Sequence, residues 1–140
     1  MNYKRFKDKY IVRLEKGEEI VESLTSLARK EKIRLGKVSG IGAVNKAEIG
    51  LFSPEIKRYD SKEFNEDLEI ISLEGNISEM DNETYIHLHI ALGDKDMKVH
   101  GGHLNSAYIS VTGEFIIDII DGKVDRELDK EIGVNFLKFE

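Results

Sequence analysis

One segment of the chain carries helical period. Between Glu18 and Glu31 the apolar residues Ile20, Val21, Leu24, Leu27 and Ala28 recur every three or four positions, which gathers them into a single buried stripe. Glu18 and Glu19 stand at its start and Arg29, Lys30 and Lys32 at its end, the charge order a helix dipole favours. Elsewhere the apolar pattern has period two, so that stripe has only sheet to pack against. Tyr10 to Leu14 reads as a first strand, and Gly17 breaks it. Ile33 to Val38 reads as another, ended by Gly40 and Gly42. Ala47, Ile49 and Leu51 alternate with polar residues until Pro54. Leu68 to Ser78 is extended with an interruption at Gly75, and Tyr85 to Leu92 is the clearest strand. Ala107 to Ile120 is a long β-rich stretch with a break at Gly113. Asp121-Gly122 is a turn signal, and Asn135 to Phe139 is a short final strand. The expected fold is α+β: one domain over residues 1–140, a mainly antiparallel sheet and one principal helix.

A chain of 140 residues, 40% hydrophobic and 34% charged, is suited to one soluble globular domain with a substantial core. No apolar run reaches the length of a membrane span, and no signal-peptide core follows the Lys-rich start. A cytoplasmic protein is the expectation. With no cysteine, disulfides, thiolate metal sites and thiol nucleophiles are all absent. The net charge of −6 opposes non-specific binding to a phosphate backbone.

All four histidines fall within seventeen residues, as His87-Leu88-His89 and His100-Gly101-Gly102-His103. Imidazole titrates nearest neutrality and is the commonest transition-metal ligand. On a strand, Ile86, Leu88, Ile90 and Leu92 point to the core, and His87 and His89 stand together on the other face with Cα atoms roughly 6.5–7 Å apart. A turn around Gly93 to Asp96 brings the chain back, and Gly101-Gly102 permits positive φ and close approach. His103 is therefore the expected third ligand, and His100 is left outside. The alternative is a set of surface histidines satisfied by hydrogen bonds. Three histidines leave a coordination position for water, as in catalytic zinc sites. Glu114, just after Gly113, is the candidate catalytic base or hydrogen-bond partner. An exposed strand glutamate is the competing reading.

His87-Leu88-His89, Gly101-Gly102-His103-Leu104, Leu73-Glu74-Gly75-Asn76-Ile77-Ser78 and Ser39-Gly40-Ile41-Gly42-Ala43 together resemble the plants-and-prokaryotes-conserved (PPC) domain family, whose members carry the label of predicted DNA-binding proteins. Arg13-Leu14, Gly17-Glu18 and Val124-Asp125-Arg126 extend the resemblance over nearly the whole chain. It implies a compact α+β subunit that assembles as a homotrimer. It also implies a divalent metal, usually zinc, on the histidines matching His87, His89 and His103. In plants the domain accompanies AT-hook segments that contact the minor groove; this sequence has no Arg-Gly-Arg-Pro hook.

Ser39 to Asn45 lacks the third glycine of a dinucleotide loop and continues as a strand, so a tight turn or bulge is the better reading. Arg29, Lys30, Lys32, Arg34 and Lys37 form one basic patch, and Tyr3 to Lys9 a second, interleaved with aromatics. Such patches can bind nucleic acid, but solvated surface is favoured by the acidic total. Glu63 to Glu69 and Glu79 to Glu83 read as acidic loops. Two functions follow. One is a histidine-coordinated metal-binding homotrimer with a DNA-associated regulatory role. The other is a zinc-dependent enzyme with an open three-histidine site acting on a small molecule.

Overall fold

The computed structural model describes residues 1–139; the last position of the expected domain, 140, lies outside them. The described chain forms β1 (Asn2–Phe6), β2 (Lys9–Glu15), α1 (Ile20–Lys30), β3 (Gly36–Ser53), β4 (Arg58–Phe64), β5 (Leu68–Met80), β6 (Glu83–Gly93), β7 (Val99–Ile119), β8 (Asp125–Leu128) and β9 (Asn135–Lys138). One sheet holds every strand. All pairings are antiparallel except a single parallel contact between Glu79 and Asp125. No helix among the described residues is long and apolar enough to cross a membrane.

Two long strands organise the sheet. One edge of β7 runs along β3; its other edge pairs with β6 over Val99–His103 and with β2 over Thr112–Asp118. β3 likewise pairs with β5 over Gly36–Val44 and with β4 over Ala47–Ser53. Since β5 also pairs with β6, the strands β3, β5, β6 and β7 close into a ring. Closure removes unpaired edges around the core. The helix packs against β6 and β7. It drives Ile20, Leu24, Leu27 and Ala28, all fully buried, against strand residues such as Leu88, Leu92 and Ile109. Each buried leucine there contributes about 1.5–3 kcal/mol relative to an exposed one.

Glu19 is the helix N-cap. Its carboxylate accepts from Val21 N (3.1 Å) and Glu22 N (2.6 Å), and also from Ala107 N on β7 (2.8 Å). One side chain thereby caps the helix and fixes it to the sheet.

Several sequence boundaries need correction. Gly40, Gly42, Gly75 and Gly113 do not end strands. Residues 36–53, 68–80 and 99–119 are each continuous, and the feature at Gly40–Gly42 is a bulge in β3. These glycines are places of close approach. A Cβ on Gly40 would lie 2.2 Å from the Phe115 ring, and one on Gly42, where φ is +152°, would lie 2.4 Å from the Thr112 carbonyl oxygen. β1, β4 and β8 carry no clear alternation and were not expected. Much of both acidic stretches is strand: Glu63 and Phe64 belong to β4, Leu68, Glu69, Glu79 and Met80 to β5 and Glu83 to β6, which leaves only Asn65–Asp67 and the turn at Asp81–Asn82 between strands.

Candidate metal centre

The site begins with strand alternation on β6. Leu88, Ile90 and Leu92 are buried in the core, which leaves His87 and His89 on the opposite face. The chain then turns at Asp94–Lys98. The Asp94 carboxylate accepts from the backbone N–H of Asp96 (2.9 Å) and of Lys98 (3.0 Å), and Asp94 N donates to the Lys98 carbonyl (2.9 Å). The returning strand registers His103 directly opposite His89, Gly101 opposite Ala91 and His100 opposite Leu92.

His87, His89 and His103 converge. Their ring centroids are 5.0–5.5 Å apart, and one ring nitrogen from each lies within 4.8 Å of the others. His87 Nε2 and His89 Nε2 are 3.2 Å apart. Two nitrogens bound tetrahedrally at 2.0–2.1 Å from one zinc ion would be separated by about 3.3 Å. The donor set therefore fits a transition metal in both chemistry and spacing. Burial, followed by the charges of His103, Arg126 and His89, lowers the pKa of His87 to about 4. Burial and then His89 lower that of His103. Both rings are thus neutral at neutral pH, the form that ligates.

His100 stays outside the trio, as expected. Its Nε2 is 2.8 Å from Asp94 Oδ2, and its ring packs on Phe64 at 5.1 Å between centroids. That hydrogen bond, with those from Lys98 and Asp96, holds the Asp94 carboxyl below its usual pKa. His100 secures the turn that returns His103. The glycines act differently from the expectation. Gly101 and Gly102 lie within β7, not in a bend, and neither has positive φ. Gly102 is needed for closeness: a Cβ there would sit 2.6 Å from the Gly50 carbonyl oxygen of β3. Gly75 is tighter still, since its Cβ would lie 2.0 Å from the His87 carbonyl oxygen.

Glu114 is not brought to the histidines. It lies eleven positions beyond His103 on β7, exposed, in register with Arg13 and Ile41. The catalytic role considered for it has no geometric support. The first basic patch is largely paired: Arg29 with Glu83 (3.6 Å), Arg34 with Glu79 (2.8 Å) and Lys37 with Glu74 (3.4 Å). In the second, on β1 and β2, Lys9 pairs with Asp118 and Tyr3 donates to Glu31.

Two further residues, neither of them among the expected ligands, stand beside the trio. Tyr59 of β4 meets the His103 ring edge-on, with centroids 6.0 Å apart, and its hydroxyl donates to Asn105 Oδ1 (2.6 Å). Arg126 of β8 donates to Asn76, the register partner of His87. Tyr59 lies in no motif or periodic segment, so no local signal marks it, whereas Arg126 lies in the Val124-Asp125-Arg126 stretch of the family resemblance without a site role of its own.

The Plants and Prokaryotes Conserved (PCC) domain model matches residues 1–121. A candidate DNA-binding protein from Bacteroides thetaiotaomicron superposes with a TM-score of 0.96 at 37% identity, over 99% of this chain and 96% of that one. A metal-containing protein from Archaeoglobus fulgidus gives 0.87 at 32% identity, over 99% and 97%. A plant- and prokaryote-conserved protein from Pyrococcus horikoshii gives 0.85 at 29% identity, over 99% and 95%. The chain also resembles the bifunctional protein GlmU of Synechococcus sp. (strain JA-3-3Ab), 28% identical over 134 residues. These are 94% of this chain and only 20% of that longer protein.

Proposed function

The chain belongs to the Plants and Prokaryotes Conserved domain family, and from that premise we propose that it is a homotrimer in which each subunit binds a divalent metal, zinc, through His87, His89 and His103. One observation carries the metal reading: three imidazoles from two paired strands meet with nitrogens at ligand spacing, two of them 3.2 Å apart. The name of the Archaeoglobus fulgidus relative supports it. Metal analysis of untagged protein tests it. About one equivalent per chain is expected, and it is lost in His103→Ala. Metal-free protein that takes up none on titration would refute it.

An exposed apolar face supports the trimer. Ile11 and Ile116 are register partners on β2 and β7, and Ile41, Ile71 and Val111 are open to solvent at 56%, 56% and 71%. Beside them Ile71, Met97, Val99 and Val111 line a groove of about 730 Å³. A patch of that kind on a monomer is an interface or a liability. Light scattering coupled to size exclusion reads the subunit number.

For biological role we favour DNA-associated regulation exercised through a partner. The kinship with candidate DNA-binding proteins supports the association. The −6 charge and the paired basic patch argue against direct contact with phosphates. A salt-dependent titration against duplex DNA distinguishes the two: direct binding weakens steeply with salt.

The enzyme reading has one observation in its favour, the exposure of His89 at the mouth of the trio. A metal on three histidines supplies Lewis acidity and an open coordination position. Turnover lost in His103→Ala with the fold intact is its signature.

A further inference from the structure

Arg126 is unused by the metal reading, yet it is the most deeply buried charge in the described chain. It lies on β8, past the residues the family model matches, and only 7% of its surface is exposed. Its Nε donates to Ser78 Oγ (2.8 Å), Nη2 to Asn76 Oδ1 (2.8 Å) and Nη1 to the Asn135 carbonyl (3.0 Å). The guanidinium stands 4.6 Å from the Tyr85 ring centroid. All of these partners are neutral. The carboxylates nearest in sequence or register have other cations: Glu74 has Lys37, Glu79 has Arg34, Asp125 has Lys123 and Glu127 has Lys138. Among the described residues Arg126 has no ion-pair partner. A cation withdrawn from water without an anion is costly, and burial pulls its pKa below the usual arginine value.

The position of this cation gives it a use. Asn76 is the register partner of His87, and Ser78 that of Tyr85. Tyr85, His87 and His89 alternate onto one face of β6. The three groups that hold the guanidinium from β5 and β6 are thus neighbours of the histidines. Around the trio the carboxylates are engaged: Glu74, opposite His89, pairs with Lys37, and Glu48 accepts from Ser61 and Asn105. Imidazole ligands add no negative charge. A dication held there beside a fixed guanidinium would make a strongly positive, half-buried centre.

We propose that the histidine centre takes an oxyanion ligand, a carboxylate or a phosphate group, and that Arg126 is the fixed cation that selects it. The proposal rests on the metal reading of His87, His89 and His103. Arginine suits the task because its charge is permanent. Here its stem and three donors are already held, so little ordering remains to be done on binding.

The test uses full-length protein loaded with cobalt(II), whose visible spectrum reports its ligands, titrated separately with acetate, inorganic phosphate and imidazole. The expected result is a saturable change with acetate, phosphate or both, and the responding anion identifies the ligand class. Arg126→Met should weaken that anion about tenfold or more, as expected for loss of a nearby fixed charge, while imidazole binds as before. Arg126→Lys keeps the charge but not the three-point clamp, so it should retain most of the anion affinity. A cobalt-loaded wild-type protein blind to both anions overturns the proposal. So does equal weakening in the Met and Lys variants, or parallel loss of imidazole binding, because Arg126 would then be only a clamp for the β8–β9 hairpin. If the wild-type protein takes up no cobalt, the metal reading fails and this inference fails with it.

Discussion

Removing the titration of His87 should flatten the acid side of the stability profile of the metal-free protein. An unfolded histidine has a pKa near 6.5, whereas His87 in the fold is held at about 4, first by burial and then by His103, Arg126 and His89. Between these values the unfolded chain binds a proton that the folded chain refuses. Stability therefore falls as pH falls through that window, and the His87 contribution is flat above it. Going from pH 7.5 to pH 5, the two pKa values correspond to a loss of about 2 kcal/mol. The ring remains partly open to solvent, and screening brings the expectation to roughly 1 kcal/mol. The assay is urea unfolding in the presence of a chelator, at fixed protein concentration, for the parent and for His87→Gln. Carboxylates titrating in both proteins cancel in the comparison. The variant should lose about 1 kcal/mol less between the two pH values than the parent does. His103 is shifted in the same direction, so the variant keeps part of the slope. Equal losses in the two proteins would refute the claim that the site buries a neutral, proton-refusing imidazole.

Metal at one hundred times its dissociation constant should stabilise the parent by about 2.7 kcal/mol, a rise in Tm of roughly 5–10 °C, with no rise in His103→Ala; differential scanning calorimetry reads both. Gly75→Ala places a Cβ 2.0 Å from the His87 carbonyl oxygen. It should cost about 1–3 kcal/mol in denaturant unfolding and weaken metal binding, whereas unchanged values would show that β5 and β6 yield freely. Glu19→Ala removes the helix cap and the acceptor for Ala107 N, and a loss of about 1–2 kcal/mol is expected by urea unfolding. Ile41→Asp puts a charge on the exposed apolar face and should dissociate the assembly in light scattering without loss of secondary structure by circular dichroism. A monodisperse trimer in that variant would move the interface elsewhere.

Local pattern was enough to read the helix within Glu18–Glu31, the strand that carries His87 and His89 and the turn after Gly93. Each follows from spacing within a dozen residues: three to four for a buried helical stripe, two for a strand face. The same local logic misread the glycines. Gly40 and Gly75 look like punctuation in one dimension, yet each is the point where a strand lies against its neighbour, Gly40 under the Phe115 ring and Gly75 against the His87 carbonyl. Only pairing could decide the closed β3–β5–β6–β7 ring, the continuity of β7 and the separation of Glu114 from the trio. It also brought Arg126 to Asn76 across fifty positions and set Tyr59 beside His103. Side-chain alternation is a property of one strand and is written in its residues. Register and closure belong to several strands together, and their free energy comes from contacts that no single segment contains.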